Sequence, residues 1–173
     1  KRDVAGWPGI GMLARVVGTL FIERNRRRAA LHRDVIAERL AEGRSLILFP
    51  EGTSSDGSAV LPFKSTLFAV AECRPDVAVR PVSIVYTGIN GRPMEPAWRP
   101  LVAWYGDMTL GPHLWAFLGL EGVSVEVTFH PPVRSAPGLT RKDLARLCHE
   151  AVAGAVGRRI TTPPEQGWKE TDR

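Results

Sequence analysis

The sequence predicts an α/β fold in which helices flank a mixed sheet. Two segments carry most of this prediction. Val123–Phe129 alternates apolar and polar residues, as a half-buried strand does. Apolar residues within Thr140–Arg159 recur at helical spacing, behind a Thr140–Asp143 pair that resembles a capping box. Helix and strand patterns alternate along the rest of the chain, and this alternation favours a sheet covered by helices.

The N-terminal part of the chain predicts two helices and two strands in alternation. Trp7–Leu20 has helical spacing, and Leu20–Ile22 then becomes strand-like in composition. A second helical stripe runs through Ala29–Glu42 and stops at a glycine, which favours a helix end there. The apolar run Ser45–Phe49 predicts a buried strand, and we expect this strand to end at Pro50 because proline cannot donate to a sheet ladder.

The middle of the chain predicts shorter elements. A short helix is expected at Ser65–Glu72, and a strand at Val77–Tyr86 that Pro81 interrupts. Asn90–Pro100 is rich in proline and glycine and predicts a loop. Met108–Leu118 has a weak helical pattern, which we expect its internal Gly-Pro pair to break.

Length and composition indicate one domain, which we place at residues 1–160, followed by a polar tail at 161–173. Hydrophobic residues make up 44% of the chain and charged residues 24%, as in ordinary globular domains. No apolar run approaches the roughly 20 residues of a membrane-spanning helix. Cys73 and Cys148 lack the spacing of a zinc site or a disulfide framework, and we expect Cys148 to pack on its helix's apolar stripe.

The segment Phe49–Gly57 is the most informative part of the sequence. Pro50 is followed by a carboxylate, a glycine, three hydroxyl side chains and an Asp-Gly turn. A buried strand that ends in such groups is where open α/β sheets place ligands. A plain polar turn after a strand explains the same residues, so this segment alone leaves both interpretations open.

Two further segments, together with Phe49–Gly57, identify a resemblance. In order and spacing, Gly18–Arg24, Phe49–Gly57 and Val79–Tyr86 resemble the second, third and fourth sequence blocks of the glycerolipid acyltransferases, the 1-acyl-glycerol-3-phosphate acyltransferase family. The resemblance covers roughly Lys1–Val133. It implies a glycerolipid acyltransferase-like fold and an enzyme that moves a fatty acyl group from acyl-CoA or acyl carrier protein to a lysolipid hydroxyl.

The first block of that family, a His-x-x-x-x-Asp whose histidine is the catalytic base, is missing. None of the histidines is followed by an aspartate five residues later; they are His32, His113, His130 and His149. The block normally precedes the segment that begins at Lys1, and the chain has no initiator methionine. We therefore expect the base to lie upstream of Lys1, no catalytic residue within this chain, and no activity from the fragment alone.

The resemblance also implies a set of acceptor-binding residues: Arg24, Glu51, Gly52, Thr53, Ser54 and Lys64. Arg24 offers a planar donor fork to an anionic head group. Ser54 stands where phosphate-using members commonly have an arginine, which weakens the case for lysophosphatidic acid as acceptor. The sequence is similar to bacterial lyso-ornithine-lipid acyltransferases there, and Lys64 of its Pro-Phe-Lys segment offers a mobile charge instead. We expect no metal and no cofactor.

Charge and aromatic residues suggest partners. The net charge of +5 and the basic cluster Arg24–Arg28 favour anionic lipid surfaces, acidic carrier proteins or nucleic acid; the absence of a nucleic-acid motif argues against the last. Trp104 and Trp115 suit either a membrane interface or the core. The resemblance implies the partners more closely: acyl-CoA or acyl carrier protein, a lysolipid and a membrane surface, at the cytoplasmic face of the inner membrane.

Two other functions compete with the transferase as interpretations of the sequence. A non-catalytic lipid- or acyl-carrier-binding module remains open as an alternative. A serine hydrolase is disfavoured because no serine lies in a Gly-x-Ser-x-Gly context.

Overall fold

The computed structural model of the chain describes residues 36–73, 76–134, 136 and 138–161. The chain divides into two compact units, Lys1–Ile47 and Leu48–Arg173. The described part of the first unit is helical over residues 36–41. This helix ends as predicted: Gly43 has a left-handed φ of 76°, and the N–H of Arg44 donates to the carbonyl of Arg39 at 3.1 Å. The other elements predicted before residue 36, and the polar tail, lie outside the described residues.

The core of the second unit is formed where two helical segments meet. Ser65–Phe68 is a 3₁₀ turn that continues into helix α1, Ala69–Cys73, which confirms the helix predicted there. Both pack against a long C-terminal helix, Arg141–Thr161. The buried cluster between them contains Phe68, Ala71, Leu144, Ala145 and Cys148.

The strands of the second unit form two small sheets. β1, Ala78–Val79, pairs with β5, Val133–Arg134. β2, Val82–Ile89, lies between β3, Arg92–Pro93, and β4, Val123–Phe129. The break between β1 and β2 falls where the sequence places Pro81, and all described strand pairs are antiparallel. The α/β class is confirmed.

The two faces of the β2–β4 pair differ. On one face, Ser83 and Gly88 of β2 are buried, and β2 contacts the C-terminal helix. The opposite face carries three directly paired sets of apolar side chains that remain 36–67% exposed. These pairs are Val82 with Phe129, Ile84 with Val127, and Tyr86 with Val125.

The predicted loop at Asn90–Pro100 is more regular than its composition suggests. Asn90 and Gly91 both have positive φ, 50° and 73°, and join β2 to β3 as a two-residue hairpin turn. The Asn90 side chain also accepts backbone N–H groups from Glu121 and Gly122, at 3.0 and 3.3 Å. A 3₁₀ turn, Pro96–Trp98, then leads into a short helix.

Two helices follow this hairpin. The first is α2, Arg99–Val102, and the second is α3, Leu110–Leu118. The expected break within α3 is wrong. Gly111 and Pro112 lie in its first turn, where backbone N–H groups have no partner within the helix, so the proline removes no helical hydrogen bond.

The C-terminal helix, α4, confirms the most distinct helical pattern of the sequence. Thr140 and Asp143 cap its start reciprocally: the Asp143 carboxylate accepts the N–H of Thr140 at 3.1 Å, and the Thr140 hydroxyl accepts the N–H of Asp143 at 3.3 Å. The buried side chains are Leu144, Ala145, Cys148, Val152 and Val156. Leu147, Ala151 and Ala155, which follow the same helical spacing in the sequence, are half-buried at the edge of this stripe.

The buried strand predicted at Ser45–Phe49 is not found. These residues have no strand pairing to any described residue, and Ile47 and Phe49 are 87% and 75% exposed. The boundary between the two units falls inside this segment, after Ile47. An apolar run becomes a buried strand only when neighbouring strands pair with it and another layer packs over its side chains. No described residue makes such contacts with this segment.

Candidate functional site

The segment from Pro50 to Lys64 forms a closed loop. At its base, the N–H of Lys64 donates to the carbonyl of Pro50 at 2.9 Å. Further in, the Glu51 carboxylate accepts the N–H of Leu61 at 3.0 Å, in a partly buried position. Glu51 therefore joins the two arms of the loop, and one of its carboxylate oxygens is engaged by the backbone.

Gly52 and Lys64 are in close contact within this loop. Gly52 has a left-handed φ of 65°, a conformation that glycine adopts without steric cost. A Cβ atom at this position would lie 2.7 Å from the Lys64 ammonium nitrogen and 3.0 Å from its Cδ. The glycine thus allows the lysine side chain to lie directly over the backbone, next to the Glu51 arm. No described residue forms an ion pair with Lys64.

The tip of the loop presents hydroxyl groups to solvent. Thr53 and Ser54 are exposed. Beyond them, the Asp56 carboxylate accepts the backbone N–H of Ser58 at 3.0 Å and its hydroxyl at 2.7 Å. These hydrogen bonds, the backbone one above all, hold the pKa of Asp56 below its usual value. Asp56 is thereby a structural acceptor that shapes the turn.

Two residues from distant elements hold the loop from outside. Arg99 in α2 donates to the carbonyl of Gly57 at 2.7 Å. His149 in α4 has its Nε2 3.4 Å from the carbonyl of Val60, and its ring meets that of Phe63 edge-on with 5.1 Å between centroids. Sequence reasoning missed Arg99 as a loop contact, because no local pattern connects it with a loop about 40 residues earlier. His149 was recognised only as a histidine without a partner carboxylate.

The structure brings together three of the predicted acceptor-binding residues, namely Glu51, Gly52 and Lys64, and places Thr53 and Ser54 at the adjoining surface. Arg24 lies outside the described residues. The arrangement combines an exposed lysine side chain, exposed hydroxyl groups and a loop fixed by backbone hydrogen bonds. Such a surface can bind a polar or anionic head group, and the assignment of these residues to acceptor binding stays a prediction.

None of the described histidines is paired with a carboxylate in the part of the chain that the structure describes. His130 lies with its Nε2 3.0 Å from the Ser83 hydroxyl. This pair is no hydrolase site, because Ser83 is 2% exposed and a substrate cannot reach it. His113 has a buried Nε2 without a described hydrogen-bond partner. None of the three described histidines thus shows the histidine–carboxylate pairing of the missing block, and the position of the catalytic base upstream of Lys1 stays a prediction.

The described residues contain neither a metal-binding cluster nor a membrane-spanning helix. No group of three or more His, Cys, Asp or Glu side chains is arranged to hold a metal ion there. Among the described helices, none has both the length and the apolar character needed to cross a membrane.

Comparison with known proteins confirms the resemblance that the sequence blocks indicate. The family model described as Acyltransferase matches residues 1–85. A lyso-ornithine lipid O-acyltransferase of Brucella abortus is 43% identical over 159 residues, which are 88% of this chain and 60% of the relative. One from Rhizobium meliloti is 40% identical over 167 residues, which are 92% of this chain and 57% of the relative.

A 1-acyl-sn-glycerol-3-phosphate acyltransferase of Neisseria gonorrhoeae is more distant, at 29% identity over 159 residues, with 90% of this chain and 59% of the relative covered. The chain spans about three fifths of the length of these curated relatives. No solved structure gives a significant match to it.

Proposed function

We propose that the protein is an acyltransferase that transfers a fatty acyl group from an acyl thioester to the hydroxyl of a lysolipid; its similarity to the Acyltransferase family model and to the two lyso-ornithine lipid O-acyltransferases supports this. The observation that carries this proposal is the closed loop Pro50–Lys64, in which Glu51 fixes the backbone and Lys64 lies over Gly52. A fixed loop with one exposed cation and exposed hydroxyl groups suits the binding of a lipid head group.

The loop's part in the reaction is to hold the acceptor. In acyl transfer, a base takes the proton of the acceptor hydroxyl, the oxygen attacks the thioester carbonyl, and the thiolate leaves. Lys64 attracts an anionic group of the acceptor, while Thr53 and Ser54 donate or accept hydrogen bonds. Glu51 acts as a positioning residue, because its contact is with the backbone of Leu61.

Within this class, we propose lyso-ornithine lipid as the preferred acceptor. An ornithine head group carries one carboxylate and one ammonium group, whereas lysophosphatidic acid carries a phosphomonoester with a larger negative charge. Ser54 brings no positive charge to the loop Pro50–Lys64, and its one cation, Lys64, matches a single carboxylate better than a phosphomonoester. The relatives from Brucella abortus and Rhizobium meliloti, which carry the lyso-ornithine name, support the same choice.

We also propose that the protein works at a membrane surface, on the cytoplasmic face of the inner membrane, with acyl-CoA or acyl carrier protein as donor. Helix α3 supports contact with lipid. It contains no charged residue, and its Leu114, Trp115 and Leu118 are 40%, 81% and 66% exposed. Exposed tryptophan and leucine side chains on one short helix favour the interface between water and acyl chains.

Vesicle flotation of the full-length protein tests this surface. Trp115→Ala should reduce the bound fraction on lipid vesicles severalfold, because an exposed indole is lost from the interface. Phe129→Ala is the matched control, since Phe129 is likewise a largely exposed aromatic residue, at 67%, but lies on β4. Equal losses for both variants, or no loss for Trp115→Ala, would show that α3 does not make the contact.

The activity is tested by thiol release from acyl-CoA, or by acyl transfer from acyl carrier protein, with the full-length protein and a panel of lysolipids. The proposal predicts release that depends on the lysolipid and is greatest with lyso-ornithine lipid. Binding of lysolipid or donor without any turnover would instead establish the alternative, a non-catalytic lipid- or acyl-carrier-binding module.

A further inference from the structure

A cleft lies on the side of the loop segment Pro62–Ser65 that faces helix α4. Its volume is about 240 Å³, and it is open to solvent. The Pro62–Ser65 segment forms one wall, and the first turns of α4 form the other, with Lys142, Arg146 and His149. Phe63 and Ala145 supply the apolar part of the lining. No acidic side chain of the described residues contributes to this lining.

The charged side chains of this cleft have donors available. Lys142 is exposed and forms no ion pair with any described residue. Arg146 is paired with Glu150, but both contacts, at 3.0 and 3.2 Å, come from a single guanidinium nitrogen. A guanidinium has five N–H donors, so most of those of Arg146 remain able to meet a second anion. The Ser65 hydroxyl, half-buried, completes the polar lining.

The cleft and the candidate acceptor loop share one wall. Leu61, just before the wall, is held from the loop side by Glu51. Val60 and Phe63 are held from the α4 side by His149. A ligand in the cleft and an acceptor at the loop would therefore lie on opposite sides of the same short segment.

We propose that this cleft binds the phosphate-bearing end of the acyl donor's phosphopantetheine arm. This inference rests on the proposed transferase function. That function requires two substrates, and the loop accounts for the acceptor only. Phosphate matches the cleft because it is anionic and accepts several hydrogen bonds, which lysine and arginine donors provide. The apolar lining formed by Phe63 and Ala145 suits the uncharged part of the arm. Coenzyme A and holo acyl carrier protein both carry this phosphate.

The test is calorimetric titration of the full-length protein with coenzyme A, with holo acyl carrier protein, and with pantetheine, which lacks phosphate. We expect coenzyme A or the carrier to bind, and pantetheine to bind at least about tenfold more weakly. Lys142→Glu should weaken binding of the phosphate-bearing ligand by roughly tenfold, and Lys142→Gln by less. The donor whose affinity changes is the one that uses the cleft.

Arg158→Glu is the matched control, because Arg158 is an exposed cation on the same helix and the charge change is identical. It should leave donor affinity within about twofold. Equal effects of Lys142→Glu and Arg158→Glu, unchanged affinity in Lys142→Glu, or equal binding of pantetheine and coenzyme A would each overturn the cleft assignment.

Kinetics separate this inference from the function on which it rests. In an active protein, Lys142→Glu should raise KM for the donor and leave KM for the lysolipid unchanged. A wild-type protein that binds coenzyme A through Lys142 but transfers no acyl group would contradict the transferase proposal and retain the cleft. An active wild type whose KM for the donor is unchanged by Lys142→Glu would contradict the cleft assignment and retain the transferase proposal.

Discussion

The loop Pro50–Lys64 and the helix α4 belong to the same compact unit but are held in different ways. The loop depends on separate polar contacts, such as Glu51 with Leu61 and Arg99 with Gly57, and its tip is exposed. Helix α4 depends on apolar packing, with Leu144 fully buried. We therefore expect substitutions in the loop to change activity more than stability. Substitutions of the side chains buried under α4 should change stability more than activity.

The largest expected effect is on stability. Leu144→Ala removes the most buried side chain of the cluster and should lower the free energy of unfolding by about 2–5 kcal/mol. Urea denaturation followed by circular dichroism measures it. Leu118→Ala, at a side chain that is 66% exposed, is the control and should cost below roughly 0.5 kcal/mol. Similar losses in the two variants would mean that the core has been placed wrongly.

Substitutions of Glu51 should change activity more than stability, in contrast to Leu144→Ala. Glu51→Ala removes the acceptor of the Leu61 N–H and should lower kcat/KM by about tenfold or more, while the unfolding free energy falls by only about 1 kcal/mol. Glu51→Gln keeps an acceptor oxygen without the charge, so its activity should lie between those of Glu51→Ala and the wild type. Both variants are followed by kinetics and melting in parallel. If stability falls while activity stays within a few-fold, Glu51 is a structural anchor and plays no part in the site.

Gly52 allows a smaller and more specific test. Gly52→Ala adds a Cβ that meets the Lys64 ammonium group, so KM for the lysolipid should rise severalfold. It also introduces backbone strain of about 1 kcal/mol. Gly106→Ala is the matched control, because Gly106 has a φ of 58° but nothing within 4 Å of the added Cβ. Gly106→Ala should lower the melting temperature by about as much as Gly52→Ala does and leave KM for the lysolipid unchanged. If KM rises in both variants, backbone strain alone causes the effect.

The core also predicts a modest dependence of stability on pH. Burial raises the pKa of the Cys148 thiol from its usual 9.0 to about 11. In the unfolded chain the thiol ionises first, so its contribution to stability is complete below pH 9 and is lost as the pH rises from about 9 to 11. Between pH 8 and 10 the wild type should lose roughly 1 kcal/mol more than Cys148→Ala. Parallel pH slopes in urea denaturation would contradict this.

The sequence predicts the parts of this fold that local patterns determine. The strand Val123–Phe129 and the cap at Thr140 follow from periodicity and from side chains within a few residues. The Asn90–Gly91 hairpin had an equally local signal, since an Asn-Gly pair favours a two-residue turn, but the surrounding proline and glycine residues made the segment resemble a loop.

What the sequence does not predict depends on distant partners. The contacts of Arg99 and His149 with the loop join residues about 40 and 90 positions apart, and no periodicity encodes them. The exposed Ser45–Phe49 segment shows the same limit. An apolar run predicts that its side chains will be buried, but it does not predict which residues bury them. For the candidate site, the spacing of the sequence motifs predicted Glu51, Gly52 and Lys64. The structure adds the hydrogen bonds and close contacts that hold these residues in the loop.

The measurement that tests the central claim most directly is the acceptor preference of the wild type and of Ser54→Arg. It is expressed as the ratio of kcat/KM for lyso-ornithine lipid to that for lysophosphatidic acid. A charge-assisted hydrogen bond contributes roughly 1.5–3 kcal/mol, which corresponds to about 10- to 150-fold. If the loop binds the acceptor head group, the wild type should favour lyso-ornithine lipid, and Ser54→Arg should shift the ratio toward lysophosphatidic acid by about that factor. A wild type that uses lysophosphatidic acid equally well, or a ratio that Ser54→Arg leaves unchanged, would contradict the account.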